Sequence, residues 1–250
     1  MKTITSLQHP LVKHFVRLRD KRAYRESQQA VVVEGIKIIE ELCLTQSAQI
    51  IIMTEAYKQR EDFLSDERIL VSEAVMKKIS GVETPEGIVA QVAMPAVDPC
   101  LGQLSGKKFI VVLDGVSDPG NMGSLLRTAL ALGWEGVFIT SGSCDPFNDK
   151  ALRAAKGATF RLPIAIGSWD RLNAILVNEE FCAIVADIEG DFPEMLTAEK
   201  KIALILGNEA TGASENAKQR FPKITIPMTD AMESLNVAVA GAILMFLIKG

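Results

Sequence analysis

The chain lacks several features that mark common classes of functional site. It has only two histidines, and its four cysteines are scattered: His9, His14, Cys43, Cys100, Cys144 and Cys182. Because structural metal sites and disulfide frameworks use closely spaced ligands or paired cysteines, we predict neither. No apolar run reaches the roughly 18 residues that span a bilayer, and the first residues lack the apolar stretch of a secretory signal. We therefore expect a cytoplasmic protein with no metal and no membrane association.

Familiar nucleotide-binding and hydrolase motifs are also missing. After the apolar run 109–113, the glycines stand at Gly115, Gly120 and Gly123, which is not the G-x-G-x-x-G of dinucleotide-binding folds. The string from Gly102 to Gly106 is one residue too short for the phosphate loop of P-loop enzymes. The sequence contains no Gly-x-Ser-x-Gly and no histidine after His14, so a serine hydrolase is not predicted. A nucleotide-binding oxidoreductase remains an alternative, disfavoured by the glycine spacing.

What the chain does contain is an α/β pattern in two parts, with 48% hydrophobic and 23% charged residues. Prolines at 95 and 99 interrupt both periodicities, so we predict a small α/β domain over 1–95, a linker over 96–105 and a second domain over 106–250. In the second domain we predict these strands: 109–113, 136–140, 183–186, 202–206 and 224–226. The predicted helices between and after them are 123–132, 149–156, 169–177 and one from Ser234 almost to Gly250. This alternation predicts a mostly parallel sheet with helices on both faces.

Three short segments of the second domain follow predicted strands or open helices: Pro119 to Arg127, Leu206 to Glu209, and Ser234 to Asn236. Carboxyl ends of parallel strands meet at one edge of a sheet, where α/β proteins bind ligands. We therefore expect the three segments to form one composite pocket.

Arg127 stands in a helix that is apolar on nearly every side. An unpaired buried guanidinium is very costly, so Arg127 is expected to reach an acidic partner, a pocket or a neighbouring subunit. The structural alternative is an ion pair with Asp118 or Glu209. Asn121, near the same helix start, supplies both a donor and an acceptor that could orient a polar substrate.

The other two segments also admit a functional and a structural interpretation. Gly207 would let the backbone approach a ligand closely, and Glu209 places a carboxylate just after the strand. Ser234 and Asn236 stand at a predicted helix start, where capping is the commonest role for either residue.

The first 25 residues are basic although the whole chain carries a net charge of -4. Lys13, Arg17 and Lys21 recur every fourth residue, and Arg22 follows, so a helix here would carry a basic stripe. The stripe is either a solvated helix face or a surface that contacts phosphates.

Taken together, these segments resemble the SpoU (TrmH-type) family of RNA ribose 2′-O-methyltransferases, within the SPOUT superfamily. The first family motif is similar to Asn121-x-Gly123-x-x-x-Arg127. The second is similar to Leu206-Gly-Asn-Glu209, and the third to Ile226-Pro-Met together with Ser234-Leu-Asn236. Ser6-x-x-His9-Pro10, Val33-Glu34-Gly35 and Thr84-Pro-Glu-Gly87 resemble the family's N-terminal RNA substrate-binding domain. The resemblance covers nearly the whole chain.

The resemblance implies a fold, a cofactor and a partner. It implies a trefoil knot in the C-terminal domain, bound S-adenosylmethionine and a homodimer whose sites are completed near the subunit interface. The cofactor contacts it implies are Thr140, Leu206, Gly207, Ile226, Met228 and Leu235. The residues it places at the reaction are Arg127, Asn121, Glu209, Ser234 and Asn236.

The implied reaction transfers a methyl group to a ribose 2′-hydroxyl without a metal. Ribosomal RNA is the expected substrate. Arginine side chains stay protonated in proteins and are poor bases, so we expect Arg127 to hold RNA phosphate and stabilise the developing alkoxide. The residues expected to bind RNA are Lys13, Arg17, Lys21, Arg22 and Arg153. Two alternatives are kept: transfer RNA as the substrate, and a catalytically silent RNA-binding protein of the same fold.

Overall fold

The computed structural model describes residues 2–60, 62–97, 102–191, 201–229 and 231–249. Within it the chain forms two compact units, one of residues 1–95 with 147–157 and the other of 96–146 with 158–250. Cys100 and the middle of the predicted linker lie outside the described residues. No helix in these ranges combines the length and the apolar character needed to cross a membrane.

The helices and strands alternate along most of the chain. The described helices are α1 Pro10–Asp20, α2 Arg22–Gln28, α3 Ile36–Cys43, α4 Glu73–Ser80, α5 Pro119–Ala131, α6 Asp149–Ala155, α7 Trp169–Asn178, α8 Glu215–Lys218 and α9 Val237–Lys249. The described strands are β1 Lys2–Ile4, β2 Ala30–Glu34, β3 Ala48–Met53, β4 Ser65–Val71, β5 Ile88–Ala93, β6 Phe109–Leu113, β7 Gly136–Thr140, β8 Ile164–Gly167, β9 Cys182–Asp191, β10 Ile202–Leu206 and β11 Lys223–Ile224.

The first unit is built on a mixed sheet in the order β1-β4-β3-β5-β2. Strands β1, β4 and β3 run parallel, whereas β5 is antiparallel to both β3 and β2. Helix α1 buries Val12, Phe15 and Leu18, and the first two join the core beside the sheet. Ser72 caps α4 by accepting a hydrogen bond from the Val75 amide.

The second unit contains the predicted parallel sheet, in the order β11-β9-β10-β6-β7-β8. Every pair of neighbouring strands in it is parallel. Strands β6, β7 and β10 are buried along their whole lengths, as expected for a sheet covered on both faces. Leu206 pairs with Leu113, and Leu113 pairs with Ile139, so the carboxyl ends of β10, β6 and β7 lie side by side.

Two helices begin at other residues than the sequence predicts, and both differences affect the site. Helix α5 begins at Pro119, four residues before the predicted 123, because Asp118 caps it and proline fits a first turn. Asn121 therefore lies inside the helix. Helix α9 begins at Val237 rather than Ser234.

Candidate active site

A cavity of about 530 Å³ opens at the carboxyl ends of β9 and β10 in the second unit. Its wall combines the turn after β10 with the loop that leads into α9. Eight of the predicted site residues line it: Leu206, Gly207, Glu209, Ile226, Met228, Ser234, Leu235 and Asn236. The second and third segments therefore share one pocket, as predicted.

The carboxylate of Glu209 ties the second segment to the first. Its Oε2 accepts hydrogen bonds from the backbone amide of Ser117 at 3.0 Å and from the Ser117 hydroxyl at 2.7 Å. Its Oε1 accepts from the Asp118 amide and from Asn121 Nδ2, both at 3.0 Å. The loop and first turn of α5 are thus held by a side chain that follows β10, between 88 and 92 residues later in the sequence.

Asn121 also joins the third segment to the other two. Its Oδ1 accepts a hydrogen bond from Asn236 Nδ2 at 3.1 Å. The Oδ1 of Asn236 in turn accepts from the amides of Ala238 and Val239. Asn236, and not Ser234, is therefore the side chain that caps α9. Glu209, Asn121 and Asn236 form one hydrogen-bonded chain that joins all three predicted segments.

Glu209 is a negatively charged group in this chain. Partial burial alone would raise the pKa of its carboxyl, but the hydrogen bonds from Asn121, Ser117 and Asp118 outweigh burial and lower the pKa to about 2. A carboxylate with so low a pKa is a poor proton acceptor at neutral pH. Its contacts instead fix the geometry of the site.

Arg127 lies on α5 with an exposed side chain. This side chain makes no hydrogen bond or ion pair to any other described residue. The structural alternative of a pair with Asp118 or Glu209 is not realised, because Asp118 caps α5 and Glu209 accepts from Ser117, Asp118 and Asn121. The guanidinium is free to meet a ligand or a second molecule.

Thr140 lies away from the cavity wall, at the buried end of β7. Its hydroxyl donates toward Asp114 Oδ1 at 3.1 Å and accepts from the Gly115 amide at 3.1 Å. Asp114 also accepts from Trp169 Nε1 and from the Ser214 amide, although it is only 5% exposed. Sequence reasoning missed this aspartate, whose one signal is its position directly after a buried strand.

Gly207 is required by the protein's own backbone. A Cβ atom at this position would collide with the main chain of Gly212 and Ala213. The close approach arises because Asn208 and Gly212 exchange two backbone hydrogen bonds in the turn. The predicted closeness of a ligand is therefore not needed to explain this glycine.

An acidic and a basic residue that sequence reasoning also missed lie together on the wall of the same cavity. Asp187, on β9, has a side chain only 8% exposed, and its carboxylate lies 3.7 Å from Lys218 Nζ at the end of α8. Single charged residues without a spacing pattern gave no signal. Glu189 also lines the cavity, and its exposed carboxylate forms an ion pair with Lys223.

Among the described cysteines, Cys144 is the one whose thiol pKa is affected by a charged residue of the site, Glu209. Burial raises the pKa of its thiol to about 11, and the negative charges of Glu209, Asp118 and Asp145 act in the same direction. Such a thiol stays protonated and unreactive at neutral pH. Cys43, Cys144 and Cys182 are free, and the described residues contain no cluster suited to a metal ion.

The predicted basic stripe lies in the first unit and is shorter than the spacing suggests. Lys13 and Arg17 are exposed on α1, but Lys21 has extended backbone between α1 and α2. The guanidinium of Arg17 stacks 3.9 Å from the centre of the Tyr24 ring, and that of Arg22 pairs with Glu26 at 2.8 Å. The side chains of Lys13 and Lys21 make no hydrogen bond or ion pair with other described residues.

Arg153, the remaining predicted RNA contact, lies on α6. It forms an ion pair with Asp149 one turn earlier, at 2.7 Å. About a third of its side chain is exposed, so it retains an accessible face.

Comparison with protein-family models finds two matches that together span most of the chain. The SpoU rRNA Methylase family matches residues 108–246, and the MRM3-like substrate binding domain matches residues 9–90. The first match covers the sheet, the cavity and all three segments of the site.

Individual relatives agree with the family matches. The chain is 28% identical to the 23S rRNA (guanosine(2553)-2′-O)-methyltransferase RlmP of Bacillus subtilis, over 100% of both chains. It is 32% identical to the 23S rRNA (adenosine(1067)-2′-O)-methyltransferase of Streptomyces laurentii, over 70% of this chain and 66% of that one. A crystal structure of an AdoMet-bound rRNA methyltransferase from Sinorhizobium meliloti superposes with a TM-score of 0.83 at 25% identity, over 99% of this chain and 97% of that one.

Proposed function

Because the chain belongs to the SpoU rRNA methylase family, we propose that it transfers a methyl group from S-adenosylmethionine to a ribose 2′-hydroxyl of ribosomal RNA. The observation that carries this proposal is the hydrogen-bonded chain of Glu209, Asn121 and Asn236 beside the cavity. It brings together the three segments that resemble the family's motifs.

The cavity fits S-adenosylmethionine in size and in chemistry. Its volume of about 530 Å³ lies within the range of small-molecule sites. Apolar side chains on the wall suit a purine, and the turn after β10 offers backbone groups. The residues that would hold the cofactor are Leu206, Gly207, Ile226, Met228 and Leu235. Thr140 supports the floor of the site from β7 rather than lining the cavity.

The bound cofactor supplies an electrophilic methyl group on a sulfonium. The protein must then favour loss of the proton from the ribose hydroxyl and stabilise the alkoxide. Arg127, an exposed and unpaired cation among the described residues, is the group proposed for that stabilisation and for holding RNA phosphate. Glu209 and Asn121 act through position, because their polar atoms already bond to neighbours.

Residues 1–95 are proposed to bind the RNA substrate, with 96–105 as a linker and 106–250 as the methyltransferase domain. The match of residues 9–90 to a substrate-binding domain supports this division. Lys13, Arg17, Lys21 and Arg22 would contact phosphates in this unit, and Arg153 on α6 would add positive charge.

A homodimer is proposed on the basis of α9. This helix leaves Val239, Phe246 and Leu247 exposed by 49%, 59% and 44%. An apolar stripe of this kind on a helix gains most by packing against another apolar surface, and a second copy supplies the same one. The exposed Arg127 would then act near the interface. The cytoplasm is the proposed compartment for this activity.

Methyl transfer to separated RNA fractions tests the function. Labelled S-adenosylmethionine is incubated with the protein and with ribosomal or transfer RNA from cells that lack the gene. Label in the ribosomal fraction is expected. Label confined to transfer RNA would move the substrate to the alternative class, and RNA binding without label in either fraction would favour the catalytically silent protein.

A further inference from the structure

The cavity wall contains one buried carboxylate that the site described above does not use. Asp187 lies on β9 with its side chain 8% exposed, and Lys218 ends α8 with its side chain 27% exposed. Both residues line the cavity. The separation of 3.7 Å between Lys218 Nζ and Asp187 Oδ2 exceeds a hydrogen-bond length, so the two charges attract without a direct hydrogen bond.

The two oxygens of Asp187 differ in their contacts. Oδ1 accepts a hydrogen bond from the Glu189 amide at 3.0 Å. Oδ2 accepts none from any described residue and has only the longer approach of Lys218. Because buried carboxylate oxygens in proteins are normally hydrogen-bonded, Oδ2 is an acceptor available to a ligand in the cavity.

The positive charge of Lys218 limits which ligand groups can donate a hydrogen bond to Asp187 Oδ2. A ligand ammonium at Oδ2 would lie within a few ångströms of the Lys218 ammonium and be repelled by it. A neutral hydroxyl meets no such repulsion. Two adjacent hydroxyls match the pair best, because one can donate to Asp187 while the other accepts from Lys218.

The surroundings favour a nucleoside as the source of these hydroxyls. Leu206, Ile224 and Leu244 line the same cavity, and all three are almost fully buried. An apolar surface next to a charged pair suits a flat base joined to a sugar.

We propose that Asp187 and Lys218 bind the ribose diol of the cofactor's adenosine moiety, with Asp187 as acceptor and Lys218 as donor. This inference rests on the proposed function, since it assigns a role toward S-adenosylmethionine. It makes the pair a specificity determinant for ribonucleoside cofactors over their deoxy forms.

Calorimetry with S-adenosylhomocysteine and its 2′-deoxy and 3′-deoxy ribose analogues tests the proposal. On the wild type, at least one analogue should bind about 10- to 100-fold more weakly than the parent compound, as expected for a lost hydrogen bond to a charged group. Asp187→Ala should weaken the parent compound by a similar factor. It should add little further loss for the analogue that lacks the contacted hydroxyl.

Matched variants separate binding from folding. Asp187→Asn keeps the shape of the side chain, and Lys218→Ala removes only the donor. Asp170→Asn is the control, because Asp170 is an exposed carboxylate on α7 of the same unit that does not line the cavity. It should bind S-adenosylhomocysteine with wild-type affinity. Thermal unfolding of each variant shows that it is folded at the temperature of the titration.

The outcomes distinguish this inference from the proposed function. If the wild type binds no S-adenosylhomocysteine, the proposed function itself fails. If the wild type binds it but Asp187→Ala loses the parent and deoxy compounds equally, the ribose assignment is overturned while cofactor binding stands. Loss confined to ligands with the amino-acid end, with 5′-methylthioadenosine unaffected, would overturn it as well.

Discussion

The polar groups of the second unit's site are held in place by hydrogen bonds, whereas the basic groups of the first unit include side chains without such bonds to described residues. Glu209, Asn121 and Asn236 each bond to fixed neighbours, so their positions are set before any ligand arrives. The side chains of Lys13 and Lys21 are exposed and form no hydrogen bond or ion pair with another described residue. Reaction geometry needs preorganised groups, whereas attraction to a phosphate backbone needs only nearby charge. Arg127 is the exception within the second unit, since it is exposed and unpaired among described residues.

The largest effect is expected from Arg127→Ala. Methylation should fall by about 100- to 1000-fold, as when one donor that stabilises developing charge in the transition state is removed. Because the exposed Arg127 side chain forms no hydrogen bond or ion pair with a described residue, the free energy of unfolding should change by less than about 0.5 kcal/mol. Single-turnover methylation and denaturant titration measure the two quantities.

Two companions sharpen that experiment. Arg127→Lys keeps the charge but not the planar fork, and should recover only part of the activity. Arg220→Ala, another exposed arginine of the second unit, should be fully active. Wild-type methylation by Arg127→Ala would remove Arg127 from the reaction.

Glu209→Gln should rank second, because it breaks the fixed network rather than the free cation. In either orientation of the side-chain amide, the new nitrogen would face one backbone donor, the amide of Ser117 or that of Asp118. We expect a loss of about 1–2 kcal/mol in the free energy of unfolding and about 10- to 100-fold in methylation. Glu179→Gln is the control, since Glu179 likewise accepts from a serine hydroxyl and a backbone amide but at Ser105 and Gly106. It should leave methylation unchanged.

The same pair gives a prediction for pH. Hydrogen bonds lower the pKa of both Glu209 and Glu179 from 4.5 to about 2. A carboxyl whose pKa is lower in the folded protein stabilises the fold above pH 4.5, and the contribution is lost as pH falls from 4.5 toward 2. Acid unfolding curves of both variants should therefore be less steep than that of the wild type in this window. An unchanged slope for Glu209→Gln would contradict the assigned hydrogen bonds.

The exposed apolar face of α9 is proposed to pack against a second copy, whereas the exposed Leu44 of the first unit is not. Phe246→Glu places a charge in the proposed interface and should produce monomers, with methylation reduced by about tenfold or more. Analytical ultracentrifugation measures the mass in solution. Leu44→Glu is the control, because Leu44 is 85% exposed in the first unit. Equal masses for Phe246→Glu and the wild type would overturn the dimer on this face.

The smallest effect is expected from the flexible charges of the first unit. Replacing Lys13 and Lys21 with alanine should weaken RNA binding several-fold and reduce the slope of log affinity against log salt by about 1.4 to 1.8. Lys37→Ala with Lys58→Ala removes the same charge from other exposed positions. If both double variants bind RNA alike, the basic stripe is an ordinary solvated face.

The sequence predicted the parallel sheet and the shared pocket because both follow from repeated patterns. Buried β-branched strands separated by helices are visible over many residues, and strand ends locate the turns. The helix starts were less predictable. Pro119 and Gly120 are typical loop residues, but Asp118 caps the helix that begins at Pro119. Ser234 and Asn236 are both good caps, and the hydrogen bonds at Ala238 and Val239 select Asn236.

Other features of the site depend on contacts between distant residues and left no local signal. Asp114 and Asp187 are single acidic residues at or near strand ends, and their burial becomes apparent only in the folded sheet. Gly207 was expected to make room for a ligand, whereas the turn at Gly212 itself requires it. The trefoil knot implied by the family resemblance stays a prediction.

The most direct measurement of the central claim is the identity of the methylated nucleoside. Ribosomal RNA from cells lacking the gene is treated with S-adenosylmethionine and either the wild type or Arg127→Ala, digested to nucleosides and separated by mass spectrometry. One 2′-O-methylnucleoside should appear with the wild type and be nearly absent with the variant. Methylation of a base, or equal 2′-O-methylation by both proteins, would contradict the account.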